Sequence, residues 1–425
     1  MPIPSIDISK GRAVQWRQGR EFLLDGGDPF VHMDRLARIG EVAIVDLDAA
    51  VGDGDNTGII ERLCRLGRCR VGGGIRTRET AVRWLDAGAS KVVIGTAATP
   101  ELLSTLPRDR VIAAVDAWDG EVVDRGWRRR TGDTVEARIE RLRPFVSGFL
   151  ATFVENEGTG TGLDLERATR LRGLVGDRGL VAAGGTRSVE EIAALDRIGV
   201  DVQVGRALYE GGLDPAEIIG GLLRSDRPDG LWPTVVCDES GAAMGLAWSN
   251  PASLRRAIDT GRGVYWSRRR GLWEKGATSG AEQELVRVDL DCDRDAIRFT
   301  VRQRGVGFCH EGTFGCWGDR QGVPAIADRI TERIQASAAG SYTARLASDA
   351  DLLRAKLVEE AGELAEAITT EETIHEAADL LYFTMTTLAS RGVGLDDVVA
   401  ELKRRTGRVT RRGGDAKTPE LETTP

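Results

Sequence analysis

Short apolar strands alternate with helical stretches through residues 1–226, and this alternation limits the fold of the region most strongly. Continuous apolar strands separated by amphipathic helices are typical of a parallel sheet that is buried on both faces. About eight strand–helix units fit a (β/α)8 TIM barrel, and a doubly wound open sheet is the competing fold. No stretch approaches the roughly 18 consecutive apolar residues of a membrane span, so we predict no membrane association.

An internal repeat favours the barrel. Asp7 and Asp116 end similar strands, as do the glycine pairs that begin at Gly73 and Gly184, with a separation of about 110 residues each time. Two half-barrels of four strand–helix units would produce this offset. The two carboxylates would then end opposite strands at the catalytic face, where such pairs serve as general acid and general base.

Glycine-rich strand ends open helices at four repeat-related places. Backbone N–H groups and the helix dipole bind anions at such positions, whereas a lone glycine pair can also be a simple tight turn. We predict one phosphate cradle at Gly73, Gly74, Gly95 and Thr96, and a second at Gly184, Gly185, Gly205 and Arg206. Two cradles on opposite sides of a barrel mouth imply a substrate with a phosphate at each end.

The first region resembles a known enzyme family through the motifs SIDISKGRAVQ, VGGGIR, VVIGTAA, AVDAWDG, TFVENEGT and VGRALYEG. They are similar to those of the phosphoribosylformimino-AICAR-phosphate isomerases of histidine biosynthesis. The resemblance implies an Amadori rearrangement with Asp7 as base, Asp116 as acid and Thr152 supporting the reacting sugar. Gln15 stands where that family usually has Arg, and Glu157 where it usually has Asp.

Aspartate and cysteine crowd together in a second region, residues 231–320. The segment RVDLDCDRDAIRFTV alternates like a strand, which would place its aspartates on one face and Cys292 on the other. Oxygen ligands suit Mg²⁺, and the candidates are Asp291, Asp293 and Asp295. Three thiolates suit a catalytic Zn²⁺ that keeps one position for water, and the candidates are Cys292, Cys309 and Cys316. A solvated acidic strand and core cysteines are the alternatives.

The motifs YWSRRRGLWEKGATSG, DCDRDA and CHEGTFGCW resemble phosphoribosyl-AMP cyclohydrolase. The resemblance implies hydrolytic opening of an adenine ring with zinc and magnesium, by a homodimer whose three zinc-binding cysteines come from two subunits. The family pattern reads KGETSGH, but here Ala277 replaces the Glu and Ala281 replaces the His. We predict that His310 takes over the proton transfer.

A third region, residues 325–410, contains three amphipathic helical runs. An EExxE motif on one run and an ExxD motif on the next would face each other across a helix pair and gather carboxylates around Mg²⁺, although EExxE alone is often a solvated helix face. The predicted ligands are Glu359, Glu360, Glu363, Glu376 and Asp379. With SYTARL and EAADLLY, these motifs resemble the phosphoribosyl-ATP pyrophosphohydrolases, which are MazG-like all-α proteins. The remainder, residues 411–425, is predicted to be a disordered tail.

The three resemblances name consecutive steps of one pathway, so the sequence predicts a fusion enzyme of histidine biosynthesis that acts on small phosphoribosyl nucleotides. One alternative keeps only the two C-terminal hydrolases active and makes the barrel a non-catalytic binding or dimerising module. Another is a zinc-dependent nucleotide-binding or regulatory protein without turnover. The net charge of −8 argues against a nucleic-acid partner. Six cysteines without a secretory signal favour the reducing cytoplasm.

Overall fold

The computed structural model describes residues 1–336 and 340–410. The predicted tail at residues 411–425 therefore lies outside the described residues. Within the described ranges, none of the helices is both long enough and apolar enough to cross a membrane.

The first region is a closed barrel with extra hairpins. Its strands are β1 (Pro2–Ser9), β2 (Arg12–Arg17), β3 (Glu21–Gly27), β4 (Val42–Asp46), β5 (Cys69–Gly72), β6 (Lys91–Ile94), β7 (Val111–Ala114), β8 (Ala117–Trp118), β9 (Glu121–Asp124), β10 (Arg129–Thr134), β11 (Gly148–Thr152), β12 (Gly179–Ala183) and β13 (Asp201–Val204). The parallel order is β1, β4, β5, β6, β7, β11, β12, β13, and β13 pairs back with β1. The predicted eight-stranded barrel is confirmed, and the open sheet is excluded.

Helices cover the outside of this barrel. They are α1 (Pro29–Leu36), α2 (Leu47–Val51), α3 (Thr57–Leu66), α4 (Arg78–Ala87), α5 (Pro100–Leu103), α6 (Val135–Leu142), α7 (Leu165–Val175), α8 (Val189–Arg197), α9 (Arg206–Tyr209) and α10 (Pro215–Leu222). Side-chain caps begin several of them: Thr77 accepts the Thr80 N–H at α4, and Ser188 accepts the Glu191 N–H at α8. These caps fix where each strand-to-helix loop ends, and therefore shape the mouth of the barrel.

The second region is a four-stranded sheet with a helix and a hairpin. Its elements are β14 (Trp232–Cys237), β15 (Ala243–Ser249), α11 (Pro251–Thr260), β16 (Val264–Ser267), β17 (Gly271–Glu274), β18 (Gln283–Leu290) and β19 (Ile297–Gln303). The sheet order is β15-β14-β19-β18. Its core is continuous with Ile39, Ala216 and Ile219 of the first region, so the sheet and α11 pack beneath the barrel, where the barrel strands begin.

The structure corrects one part of the sequence analysis. The segment RVDLDCDRDAIRFTV was expected to be one strand, but β18 ends at Leu290 and β19 begins at Ile297. Residues 291–296 form the connecting loop, in which Arg294 has a φ of +68°. Closely spaced aspartates favour turns over strands because their side chains bond the local backbone, and a positive φ is incompatible with an extended strand.

The third region is helical, as predicted. Its helices are α12 (Gly322–Ala336), α13 (Tyr342–Ser348), α14 (Ala350–Glu366), α15 (Thr370–Ser390) and α16 (Leu395–Thr406). A small core of Leu346, Leu353 and Phe383 joins α13, α14 and α15. The Thr343 and Tyr382 hydroxyls are hydrogen-bonded at 2.8 Å, which fixes α13 against α15. This packing holds α14 and α15 side by side.

Candidate active sites

A cavity of about 680 Å³ opens at the ends of the barrel strands. Its wall contains Asp7, Asp116 and Thr152 together with all eight predicted cradle residues. The carboxyl ends of parallel strands are where active sites of such barrels form. The residues predicted from the sequence therefore lie together in one cavity.

In each cradle, the glycine pair that ends a strand is required by close backbone approach. A Cβ atom at Gly73, where φ is +91°, would lie 2.2 Å from the Asp46 carbonyl oxygen. A Cβ at Gly184, where φ is +104°, would lie 2.5 Å from the Phe153 carbonyl oxygen. Only glycine fits both the backbone angle and the space. The same clash recurs at repeat-related positions, so both halves of the barrel use glycine for a close backbone contact at the cavity wall.

Two carboxyl groups predicted to carry out the chemistry lie in this cavity with altered acidity. Ser5 Oγ donates a hydrogen bond to Asp7 at 2.5 Å, and burial raises the pKa of Asp7 to about 6. Trp127 Nε1 donates to Asp116 at 2.8 Å, and Thr152 donates to the same carboxyl. Burial raises the pKa of Asp116 above its ordinary value despite these two hydrogen bonds.

A third carboxyl group, Glu157, lies with them. Burial, and next the negative charges of Asp7 and Asp116, raise the pKa of Glu157 to about 8. Glu157 is therefore mostly protonated at neutral pH while Asp7 is mostly ionised. Acids whose pKa values are separated in this way can supply a base and an acid at one pH. In the sequence, Glu157 is visible only as a departure from a family pattern, because its proximity to Asp7 and Asp116 is a tertiary feature.

Basic residues that sequence reasoning missed also line the cavity. They are Lys10, Arg76, Arg128, Arg138 and Arg187. They supply positive charge for an anionic substrate. Arginine is so frequent in this chain that no single one stood out, and only the folded structure selects these.

The aspartates of the 291–296 loop converge. One carboxylate oxygen from each of Asp291, Asp293 and Asp295 lies within 4.8 Å of the others. Asp291 Oδ1 accepts the N–H groups of Asp295 and Ala296 at 3.0 and 3.1 Å, which closes the loop. Three clustered carboxylates are a suitable donor set for Mg²⁺.

Two of the three predicted zinc ligands lie together. The Cys309 and Cys316 thiols are hydrogen-bonded to each other, and Cys309 Sγ lies 3.8 Å from His310 Nδ1. A hydrogen bond from the Glu311 backbone is the main cause that lowers the pKa of Cys309, which favours the thiolate that binds metal. Cys292 is exposed in the aspartate loop. Within the part of the chain that the structure describes, no three-residue metal cluster contains a cysteine.

The helical carboxylates form a single group between α14 and α15. Glu359, Glu360 and Glu363 cluster on α14, and Glu360 also clusters with Glu376 and Asp379 of α15. Burial, and next the negative charge of Glu376, raise the pKa of Glu363, which shows how closely the acids crowd. Crowding of this kind favours a bound divalent cation, so the donor set fits Mg²⁺.

Lys356 is the counter-ion of this group in the chain itself. Its Nζ lies 2.9 Å from Glu359 and 3.0 Å from Glu360, and Glu360 is nearly buried. These two ion pairs hold one side of the carboxylate group in place.

Comparison with known protein families identifies the class of protein to which these sites belong. Residues 2–214 match the family described as histidine biosynthesis protein, and the chain belongs to this family. Residues 245–318 match phosphoribosyl-AMP cyclohydrolase, and residues 323–406 match phosphoribosyl-ATP pyrophosphohydrolase. The three matches follow one another along the chain in the order of the three structural regions.

Individual relatives agree with this assignment. The chain is 50% identical over 207 residues to the histidine biosynthesis trifunctional protein of Neurospora crassa, covering 49% of this chain and 24% of the relative. It is 38% identical over 204 residues to the histidine biosynthesis bifunctional protein HisIE of Deinococcus radiodurans, covering 44% of this chain and 93% of the relative. The chain spans only about a quarter to a half of the length of the first fungal relatives it matches.

Proposed function

We propose that the chain is a multifunctional enzyme of histidine biosynthesis that carries out three successive reactions. The third region hydrolyses phosphoribosyl-ATP to phosphoribosyl-AMP and pyrophosphate. The second region opens the adenine ring of phosphoribosyl-AMP by hydrolysis. The barrel isomerises the resulting aminoaldose to an aminoketose. The successive family matches support the two hydrolyses, and the cavity that holds two phosphate cradles around three acids supports the isomerisation.

In the barrel, the cradles hold the two phosphates and leave the sugar between the acids. Asp116, oriented by Trp127 and Thr152, gives a proton to the ring oxygen, so that the ring opens to an imine. Asp7 removes the proton from C2 and returns it to C1, while the enol hydroxyl gives its proton back to Asp116 and becomes the ketone. Protonated Glu157 lies beside both carboxyl groups and can exchange a proton with them.

In the second region, which we assign as a small α+β zinc domain at residues 231–320, Cys309 and Cys316 of one chain would bind zinc together with Cys292 of a second copy. The protein would therefore act as a homodimer. Bound zinc supplies an activated water at neutral pH. The loop aspartates would bind magnesium, and His310, beside Cys309, would transfer the proton that the missing histidine at Ala281 does not.

In the third region, which we assign to the MazG-like all-α fold at residues 325–410, the carboxylates between α14 and α15 would bind magnesium. Magnesium neutralises charge on the polyphosphate and favours departure of pyrophosphate. Lys356 is free to contact a phosphate when a cation replaces it beside Glu359 and Glu360. We place the protein in the cytoplasm, because its six cysteines are free thiols and such thiols are typical of a reducing compartment.

The experiment is a product analysis of the full chain with phosphoribosyl-ATP, Mg²⁺ and Zn²⁺. Chromatography must separate the products, because the aldose and the ketose have the same mass. Accumulation of the ketose supports all three activities. Accumulation of the aldose restricts the activity to the two hydrolases and refutes the barrel assignment, and unchanged phosphoribosyl-ATP refutes the whole proposal.

A non-catalytic barrel is the second candidate. The observation that favours it is the replacement of the expected family residues by Gln15 and Glu157. Gln15 is buried, and its Nε2 atom has no hydrogen-bond partner in the structure. Under this candidate the barrel binds a bisphosphate without turnover, so the full chain would stop at the aldose.

A further inference from the structure

The aspartate loop at residues 291–296 is anchored to the barrel beneath it. Leu290, the last residue of β18, packs against both the barrel core and the core of the second region. The Arg294 guanidinium, in the middle of the loop, binds the Asp196 carboxylate of α8 with two hydrogen bonds of 3.1 and 3.0 Å. Asp196 is 9% exposed and Arg294 is 19% exposed, so water screens this pair little.

The backbone of the loop needs this support. Arg294 has a φ of +68°, a left-handed conformation that residues with a side chain rarely adopt. Such a conformation persists only where surrounding contacts impose it. Arg294 supplies two of them: its Nη1 donates to the Asp291 carbonyl at 2.9 Å, and its own carbonyl accepts the Arg224 N–H at 2.7 Å. Arg224 follows the last barrel helix, α10, so two separate places in the barrel region hold the loop.

This anchoring determines where the aspartates point. Asp293 and Asp295 flank Arg294, and Asp291 receives the Arg294 side chain on its carbonyl oxygen. The three carboxylates repel one another, so a loop that is free to relax would separate them. A loop that is held at its centre by Arg294 and is preceded by the packed Leu290 cannot do so, and the three oxygens remain within 4.8 Å of one another.

We propose that the barrel has a second task, which is to position the cation-binding loop of the adjoining region, and that Asp196 is the positioning residue that acts through Arg294. This inference rests on the proposed function, in that the loop binds a divalent cation. It differs from that function because the barrel contributes here through its underside, away from its own cavity. Asp196 does not contact the substrate or the cation.

The test measures the cation directly. Mn²⁺ binding to the full chain is followed by electron paramagnetic resonance, in a parent that carries Glu360→Gln and Asp379→Asn to remove the helical site. We expect Asp196→Asn to weaken Mn²⁺ binding by roughly tenfold or more, the size of effect typical when a group that orients metal ligands is lost. Asp196→Glu keeps the carboxylate and should recover part of the affinity. Asp259→Asn is the matched control, because it breaks the 3.0 Å ion pair with Arg35 at the same interface without touching the loop.

A second variant and a second measurement complete the test. Asp196 also accepts a hydrogen bond from the Met1 amino group at 2.9 Å, so Arg294→Gly isolates the loop contact. Glycine tolerates the φ of +68°, and this variant should therefore fold, lose the anchor and bind Mn²⁺ more weakly. Hydrogen–deuterium exchange of the 288–297 peptide, without metal, should be faster in both variants than in Asp259→Asn.

The outcomes separate the two proposals. Failure of the parent to bind Mn²⁺ would refute the metal assignment of the proposed function, while exchange would still test the anchoring. Unchanged exchange in Asp196→Asn and Arg294→Gly, or unchanged Mn²⁺ affinity in a parent that binds it, would overturn the positioning role.

Discussion

Replacing Glu157 by Gln tests whether this carboxyl is held protonated in the barrel cavity. The pKa of Glu157 rises from 4.5 to about 8, chiefly through burial. In the folded state Glu157 then keeps a proton that the unfolded chain releases. The free energy of unfolding is therefore highest below pH 4.5 and falls as the pH rises from 4.5 to about 8. Gln has nearly the same shape and no proton to lose, so the variant should not show this fall.

The size of the effect follows from the shift. One pKa unit equals about 1.4 kcal/mol, so ionisation of Glu157 at pH 9 would cost at most about 5 kcal/mol. The side chain keeps partial contact with water in the cavity, which reduces the expected cost to about 2–3 kcal/mol. Relative to the wild type, Glu157→Gln should therefore gain about 2–3 kcal/mol in free energy of unfolding between pH 4 and pH 9.

The assay must report on the barrel alone, because the chain has several regions that can unfold separately. Hydrogen–deuterium exchange of peptides from β5, β7 and β12, measured across a urea series at pH 5, 7 and 9, meets this requirement. Glu166→Gln on the exposed side of α7 is the control, since its carboxylate is 86% exposed and should give no pH-dependent gain. The contradicting result is a stability of the barrel that changes by the same amount between pH 5 and pH 9 in Glu157→Gln and in the wild type. In that case Glu157 ionises normally, and the acid–base interpretation of the cavity is wrong.

Further predictions concern the other reactive groups. Asp7→Asn should lower the isomerisation rate by roughly 10²–10⁴-fold while both hydrolyses continue at their normal rates, and an isomerase assay with purified aldose checks this. The same assay in the wild type should show activity rising through about pH 6, as Asp7 ionises; a flat profile there would contradict its role as base. Cys309→Ala should remove bound zinc, measured by atomic emission, whereas Cys237→Ala, which alters a cysteine outside the cluster, should retain it. Glu360→Gln should weaken Mg²⁺ binding by roughly tenfold in calorimetry, because Glu360 belongs to both helical carboxylate groups, and the exposed Glu366→Gln should not.

Much of the barrel was predictable because its signals are local and repeated. Each strand is short and apolar, and the 110-residue repeat doubles the information about strand ends at Gly73 and Gly184. The two glycine pairs of the cradles, which begin at Gly73 and Gly184, were predictable for the same reason, because their positive φ angles are ones that other residues rarely adopt. Local pattern and tertiary structure agree here.

The aspartate loop shows where local pattern fails. Aspartate occupies every second position from 289 to 295, and this alternation is equally consistent with a strand and with a loop that gathers the carboxylates at one place. Asp289 separates from the others and binds Arg287 and Arg298 on the sheet, whereas Asp291 turns inward to close the loop. Beside this local closure, the loop is stabilised by the contact of Arg294 with Asp196, which is 98 residues away in the chain. No window of sequence contains that contact.

The positions of these contacts divide the barrel between two tasks. Asp7, Asp116 and the cradles lie where the strands end, whereas Asp196 and Ile39 precede strands and lie beneath them, against the second region. Ile3, Ala43 and Val181, from three barrel strands, form a packed cluster between these ends. A small molecule therefore cannot pass from the underside of the barrel through its interior to its mouth. We therefore expect the barrel to act on the neighbouring region by supporting its loop. The benefit of the fusion should be measured first as metal affinity and as order of the loop, and only then as direct transfer of intermediates.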